Sequence, residues 1–239
     1  NGSVSTAVNP NAVYVNPGTY TVSLRVQYGG ETVSTTKENF IVVGALPEVA
    51  FELLSDTIGC GPYTVNFNNL SSDPQASELT YSWSFGDGNG SSLENPEHTY
   101  GPAGDFDVTL VAENALGCRS SATEPALVHV LRPRAILGVD PATSCSGELE
   151  AQFANNSLAR SGFTSLWDFG DGTTSTEHAP LHHYIGEGNY SVALTVTDDI
   201  GCSSTVRREN LISVVETKAD FTMSATTICP RQSVRFTNT

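Results

Sequence analysis

One tract of the sequence occurs twice. Residues 81–118, YSWSFGDGNGSSLENPEHTYGPAGDFDVTLVAENALGC, align without a gap on residues 165–202, SLWDFGDGTTSTEHAPLHHYIGEGNYSVALTVTDDIGC. Trp83 and Trp167 stand 84 residues apart, as do Tyr100 and Tyr184, and Cys118 and Cys202. Cys60, Cys145 and Cys229 follow at intervals of 85 and 84. A fixed period of this length means that one structural unit is used repeatedly. The repeat also reaches both ends. NPNAVYVNPGTYTVSLRV (9–26) lines up with NPEHTYGPAGDFDVTLVA (95–112), and ADFTMSATTICPRQSVRFTNT (219–239) with VAFELLSDTIGCGPYTVNFNNL (49–70). The organisation expected is the C-terminal part of a repeat in 1–45, complete repeats in 46–132 and 133–217, and the N-terminal part of the next in 218–239, a window on a longer array. The strand that carries the Trp is missing from both terminal pieces, so each is expected to leave part of its core uncovered.

Within the repeat, apolar residues alternate with polar ones: Phe106, Val108 and Leu110 in one copy, Tyr190, Val192, Leu194 and Val196 in the other. A period of two describes a strand with one buried and one wet face. AFELL, YTVNFNN, TYSWSFG and ALVHVL are further strand candidates, with turn signals every 8–12 residues and no helical periodicity of useful length. About seven short strands in some 85 residues predict an all-β fold, a Greek-key β-sandwich. The junctions near 44–47, 132–134 and 216–218 are short, so consecutive domains are expected to touch one another.

Charge narrows the partners. The chain carries 26 acidic and 11 basic residues, net −15. Nucleic acid and anionic membrane surfaces require clustered Lys and Arg, and no apolar run approaches the 18–20 residues of a membrane-spanning helix. Neither nucleic-acid binding nor membrane insertion is expected. The acidic excess reads as solubility by self-repulsion, with scattered divalent-cation sites as the sharper alternative.

The recurring pattern Trp-x-Phe-Gly-Asp-Gly, then His-x-Tyr, then Gly-x-aromatic-x-Val-x-Leu resembles the PKD (polycystic kidney disease) repeat. Its residues are Trp83, Phe85, Gly86, Asp87, Gly88, His98, Tyr100, Gly104, Phe106, Val108 and Leu110, and again Trp167, Phe169, Gly170, Asp171, Gly172, His182, Tyr184, Gly188, Tyr190, Val192 and Leu194. The first partial repeat matches only in its later half, with Ala12 where His98 stands. The resemblance implies tandem immunoglobulin-like β-sandwiches in a linear array and an extracellular or cell-surface location. A Cys after the first strand and another in a Gly-Cys turn is similar to the PKD arrays of large Bacteroidota surface proteins, which are often exported by the type IX system. Such proteins serve in adhesion, gliding or appendages.

Each complete repeat holds one Cys after its first strand and one at the end of a late strand. The pairs expected are Cys60–Cys118 and Cys145–Cys202; the competing Cys118–Cys145 pair would cross a domain boundary. A bridge closing a loop of about 60 residues would contribute about 4 kcal/mol in the chain-entropy model. Cys229 is unpaired within this window, and the first partial repeat has YGGE (28–31) in place of the Gly-Cys turn. Disulfides imply an oxidising compartment.

The Asp168-Phe169-Gly170 triplet looks like a kinase magnesium loop, but the other copy has Ser84 in place of Asp168 and no Gly-rich loop, strand Lys or catalytic loop accompanies it. The Asp that recurs, Asp87 or Asp171, precedes a Gly, a hairpin-turn signal. Calcium at this Asp is the alternative; no cofactor is expected otherwise. Trp83 and Trp167 are expected in the core, packed on the disulfides, with glycan stacking as the rival. His98 and His182 are expected to anchor the turn before the strand that follows them rather than bind metal. Asn69, Asn155 and Asn238 recur after a strand and are expected to bond a neighbouring loop. Glu97, Glu177 and Glu187 show no pairing for acid–base catalysis. The expectation is a non-enzymatic stalk or filament segment contacting neighbouring repeats of its own chain, with homo-oligomeric filaments or bundles open. The alternatives are a carbohydrate- or cell-binding module, or an accessory domain of a secreted hydrolase.

Overall fold

The computed structural model describes residues 2–75, 77–160 and 162–238. The chain divides into two compact units, 1–130 and 131–239, and no helix forms among the described residues. The first unit begins with a hairpin, β1 (Gly18–Tyr28) and β2 (Glu31–Val43). The first complete repeat follows: β3 (Phe51–Leu53), β4 (Ile58–Cys60), β5 (Tyr63–Asn69), β6 (Leu79–Ser84), β7 (Gly90–Ser91), β8 (Glu97–Tyr100), β9 (Gly104–Asn114) and β10 (Arg119–Leu131). These form a five-stranded sheet in the order β4-β10-β9-β6-β7 and a three-stranded sheet, β3-β5-β8.

The second unit repeats the plan with β11 (Leu137–Asp140), β12 (Thr143–Ser144), β13 (Glu148–Asn155), β14 (Phe163–Asp168), β15 (Thr174–Ser175), β16 (Leu181–Ile185), β17 (Gly188–Asp198) and β18 (Ser203–Val214). Its sheets run β12-β18-β17-β14-β15 and β11-β13-β16. A short hairpin of β19 (Phe221–Met223) and β20 (Phe236–Asn238) ends the chain. Each complete repeat is an immunoglobulin-like β-sandwich.

Alternation builds the cores. Val65 and Phe67 on β5 and Tyr100 on β8 meet Trp83, Val108, Leu110 and Val128 of the facing sheet. Ala151, Phe153 and Tyr184 meet Trp167, Val192, Leu194 and Ile212 in the second repeat. Burying a large apolar side chain stabilises by about 1.5–3 kcal/mol relative to exposure, so these facing strands hold the two sheets together.

The three long hairpins share one irregularity. The register slips between Tyr20 and Val22 on β1, between Glu124 and Val128 on β10, and between Tyr190 and Val192 on β17. In each case the second strand carries three residues against one, a bulge that bends the strand. The middle residue of the three is left-handed: Asn39 (φ 51°), Ala126 (φ 47°) and Asn210 (φ 50°). Its amide is taken by the opposing side chain: Thr21 Oγ1 at 3.3 Å, Asp107 Oδ1 at 2.7 Å and Ser191 Oγ at 3.0 Å, respectively.

The bulge explains where the sequence reading fell short. ALVHVL suggested a strand over 126–131, but β10 starts at Arg119. Its first half is polar and contains Pro125, which lacks an amide proton and argues against a strand interior. Pro125 is tolerated because it lies in the bulge, where the ladder is already interrupted.

Candidate functional site

The recurring motif closes one end of each sandwich. Asp87 and Gly88 lie in the loop between β6 and β7, where Gly88 is left-handed (φ 92°) and Asp87 Oδ1 accepts the amide of Asn89 at 3.0 Å. The other carboxylate oxygen, Oδ2, meets His98 Nε2 at 2.8 Å. His98 lies on β8, in the other sheet, and its ring stacks on Phe85 with centroids 4.1 Å apart and planes 8° apart. Two residues on, Tyr100 donates its hydroxyl to the carbonyl of Phe85 at 3.0 Å. The loop of one sheet is thereby tied to a strand of the other by a histidine–carboxylate hydrogen bond, a ring stack and a tyrosine hydrogen bond.

The second repeat reproduces this latch. Asp171 Oδ2 meets His182 Nε2 at 2.7 Å, His182 stacks on Phe169 at 3.9 Å, and Tyr184 donates to the Phe169 carbonyl at 3.1 Å. Here Thr173 donates both its amide and its hydroxyl to Asp171 Oδ1, at 2.9 and 2.6 Å. Asp168, the residue of the kinase-like triplet, accepts the amide of Gly170 at 2.9 Å.

Gly86 and Gly170 cannot be replaced without movement. A Cβ at Gly170 would lie 2.3 Å from the carbonyl oxygen of Ser191, and one at Gly86 2.5 Å from that of Asp107. Both contacts fall on the residue that caps the bulge, so motif and bulge form one joint. The motif glycines were legible from the repeat. The roles of Asp107, Ser191 and Thr21 were not, because these three residues share only a small polar side chain.

Burial alone would raise the Asp87 carboxyl, but hydrogen bonds from His98 and from the side chain and amide of Asn89 outweigh it and hold the group below its ordinary value. Asp171 is lowered in the same way, burial being overcome by Thr173 and His182. The Tyr100 and Tyr184 hydroxyls are pushed up, first by burial and then by the neighbouring aspartates. The site is an acceptor set already filled by protein donors. Among the described residues, no group of three or more His, Cys, Asp and Glu is placed to hold a metal ion.

Trp83 and Trp167 lie in the cores, 3% and 0% exposed, and donate their indole N–H groups to Leu93 O and Glu177 O at 2.9 and 3.0 Å. Trp83 packs on Phe51 and Phe67 at centroid distances of 5.1 and 5.4 Å. Asn69 and Asn155 accept the amides of Ser71 and Ser157 at 2.9 and 3.0 Å. Asn155 also donates to Ser165 Oγ at 2.8 Å. Asn238 lies on β20, and His183 leaves the latch to face Glu148 at 3.4 Å.

The expected cysteine pairs are corrected. Cys118, Cys145 and Cys229 are free thiols, while Cys60 and Cys202 are disulfide-bonded. Cys60–Cys118 and Cys145–Cys202 do not form, so neither Trp packs on an intra-repeat bridge. The reason is strand order. Cys118 precedes the first residue of β10, whereas β4 meets β10 near its other end, with His129 N donating to Thr57 O at 2.7 Å. The intervening strand puts the two cysteines roughly 30–40 Å apart, against a Cα separation of about 5.5–6 Å in a disulfide. Cys145 and Cys202 are separated by β18 in the same way: Thr143 and Ser144 pair with Ser213 and Val214, while Cys202 precedes Ser203.

The PKD domain family model matches residues 47–130 and 132–214. The chain belongs to the PKD domain family. Curated relatives of its PKD domains include a microbial collagenase of Vibrio alginolyticus, 52% identical over 50 residues, covering 21% of this chain and 6% of that protein. The pre-pro-metalloprotease PrtV of Vibrio cholerae is 65% identical over 40 residues, covering 17% and 4%. Human polycystin-1 is 28% identical over 109 residues, covering 44% and 2%. The chain thus spans a small fraction of the length of these relatives. Among solved structures, the PKD1 domain of Vibrio anguillarum Epp is 32% identical with a TM-score of 0.32, covering 37% of this chain and 99% of that one. The PKD1 domain of Vibrio cholerae PrtV is 30% identical with a TM-score of 0.30, covering 34% and 93%.

The PKD motif in this chain therefore performs assembly. Each of its polar groups named above is paired with another part of the same sandwich.

Proposed function

We propose that these PKD domains are a non-enzymatic spacer, a stalk or filament segment of a large exported bacterial surface protein. The observation that carries this reading is the use of the motif: in both repeats His98 and His182, Asp87 and Asp171, and the Trp and Tyr donors are bonded inside the sandwich. What recurs between the repeats is what holds a sheet pair together. An extracellular setting fits the disulfide and the acidic surface. Adhesion, gliding or appendage formation would belong to other parts of such a protein, and the type IX route to its export. The test is localisation of the native protein. Antibody to residues 46–217 should label intact cells, and electron microscopy of the released protein should reveal an extended thread. Signal confined to the cytosol would sink the reading.

A second reading is favoured by the relatives. Identity of 65% to a stretch of a metalloprotease and 52% to a stretch of a collagenase fits accessory domains of a secreted hydrolase. The full reading frame separates the two: a peptidase domain on the same polypeptide supports the accessory role, further PKD repeats the stalk.

A further inference from the structure

Two apolar faces that a complete repeat keeps covered are bare in the partial ones. On β1, Leu24 and Val26 are exposed, and on the last hairpin Phe221, Met223 and Phe236 are 54%, 43% and 64% exposed. Contiguous apolar surface of this kind marks a place where something docks. Both hairpins are copies of strands that face each other in the first complete repeat, and that repeat shows what each face fits.

β1 and β2 copy β9 and β10. Val22 lies opposite Lys37 and Leu24 opposite Thr35, as Val108 lies opposite Glu124 and Leu110 opposite Ala122. The segment before β1 supplies a counterpart of β8: Tyr14 packs on Tyr20 with ring centroids 4.7 Å apart, as Tyr100 packs on Phe106 at 4.5 Å. β19 and β20 copy β3 and β5. Phe221 lies opposite Asn238 and Met223 opposite Phe236, as Phe51 lies opposite Asn69 and Leu53 opposite Phe67. The bonds beyond the ladder recur as well. Ser224 N donates to Arg235 O at 2.9 Å and Arg235 N to Ser224 Oγ at 3.0 Å. Leu54 N donates to Asn66 O at 2.9 Å and Asn66 N to Ser55 Oγ at 3.1 Å. In the complete repeat Phe51, Leu53, Val65 and Phe67 pack in one core with Val108, Leu110 and Val128, and β5 pairs with β8, Val65 opposite His98. Each terminal hairpin is therefore preformed in the register that the other's face requires, and among the described residues each forms a sheet of its own.

We propose that these faces dock two copies of this chain: hairpin β19–β20 of one copy covers β1–β2 of the next. The complete repeat sets the register. Phe221, Met223 and Phe236 take the places of Phe51, Leu53 and Phe67 over Val22 and Leu24, and Val234 comes opposite Ala12 as Val65 does opposite His98. Strand addition of this kind draws affinity from main-chain bonds and specificity from alternate side chains. Each copy carries one donor and one acceptor, so the contact is heterologous and repeats head to tail. It lies between copies and needs no particular placement of the two complete repeats within one chain. Neither hairpin supplies the Trp-bearing strand, so the joint is weaker than a complete sandwich and forms as concentration rises; in a dilute chain the face of β1 stays exposed. Residues of a longer polypeptide that completed either half-repeat would compete for the same face, so the 239-residue chain is the one to test. The contact does not depend on the stalk reading, because an accessory module would carry the same two faces.

The test is sedimentation velocity of the 239-residue chain over a concentration series, with the free thiols alkylated so that no disulfide joins copies. The sedimentation coefficient should climb with concentration. Leu24→Asp puts a charge on the acceptor face and Phe236→Asp one on the donor face; both positions are exposed, so the two complete repeats should keep their circular dichroism and unfolding midpoints. Each variant alone should stay monomeric. An equimolar mixture of the two retains one intact donor and one intact acceptor, and should form a heterodimer that grows no further. In that heterodimer, hydrogen exchange should slow at residues 11–14. A monomer across the series for the unmodified chain overturns the proposal, as does association that survives in either variant or a mixture that stays monomeric.

Discussion

In β9, Val108, Leu110 and Ala112 are wholly buried; at the matching positions of β1, Val22, Leu24 and Val26 are 38%, 61% and 54% exposed. Yet the two hairpins share their alternation, their antiparallel pairing and their bulge, down to a left-handed residue at its centre and a small polar side chain that caps it. The difference between them is the facing sheet. In the complete repeat β5 and β8 lie over β9 and supply Val65, Phe67 and Tyr100. Among the described residues β1 and β2 form a sheet of their own. The hairpin's shape is thus encoded locally, by turn and bulge residues, while its burial is conferred by strands encoded elsewhere in the repeat.

The largest test of that division compares one substitution in the two settings. Leu194→Ala removes a fully buried side chain from β17, and such truncations cost about 2–5 kcal/mol. Leu24→Ala, at the matching position of β1, should stay within about 0.5 kcal/mol, as surface substitutions do. Urea unfolding should report the second repeat through Trp167, with Trp83 removed by Trp83→Phe to isolate its signal. A comparable loss of stability from Leu24→Ala would mean that the face of β1 is covered in solution.

The latch provides the next contrast, since Ala12 stands where His98 and His182 stand in the complete repeats. Folding lowers the carboxyls of Asp87 and Asp171. Their contribution to stability is complete above the ordinary Asp value of about 3.9 and is lost as pH falls through the lower folded value. Both repeats should therefore lose stability below about pH 4. Asp171→Asn should lower the stability of the second repeat at pH 7 and flatten its acid limb, leaving the first repeat as an internal control. An unchanged acid limb would show that the His182–Asp171 pair does not carry it.

Much of this was legible in the sequence, because a tandem repeat displays its invariants. The strand cores over 63–69, 106–114 and 190–198 could be read from alternation, and the Trp, Phe, Gly, Asp and Gly positions from recurrence. Contacts between sheets were not legible. Asp87 and His98 each recur, but nothing in their spacing says that a loop of one sheet meets a strand of the other. The cysteines failed for a related reason. Alternation tells which face of a strand a residue occupies and is silent on which end of a neighbour it abuts. Only the placement of β4 beside the far end of β10 reveals that Cys60 and Cys118 are at opposite poles.

The smallest expected effect probes the bulge itself, the feature that all three long hairpins share. Its central residue is Asn in β2 and β18 but Ala in β10, at nearly the same positive φ. A left-handed conformation costs a residue with a Cβ about 1–2 kcal/mol, and Asn escapes part of that through local hydrogen bonding. Replacing Ala by Gly removes the strain but gives the unfolded chain more freedom, which offsets about 0.4–1 kcal/mol. Ala126→Gly should therefore stabilise the first repeat by about 0.5 kcal/mol, a rise of about 2–4 °C in its unfolding midpoint. Asn210→Gly should yield no gain in the second repeat, because there is less strain to relieve and the same entropy to lose. Calorimetry of the two variants decides it. Equal gains would place the cost in the bulge backbone as a whole; a gain at Ala126 alone assigns it to the one side chain that cannot bond its way out of the strain.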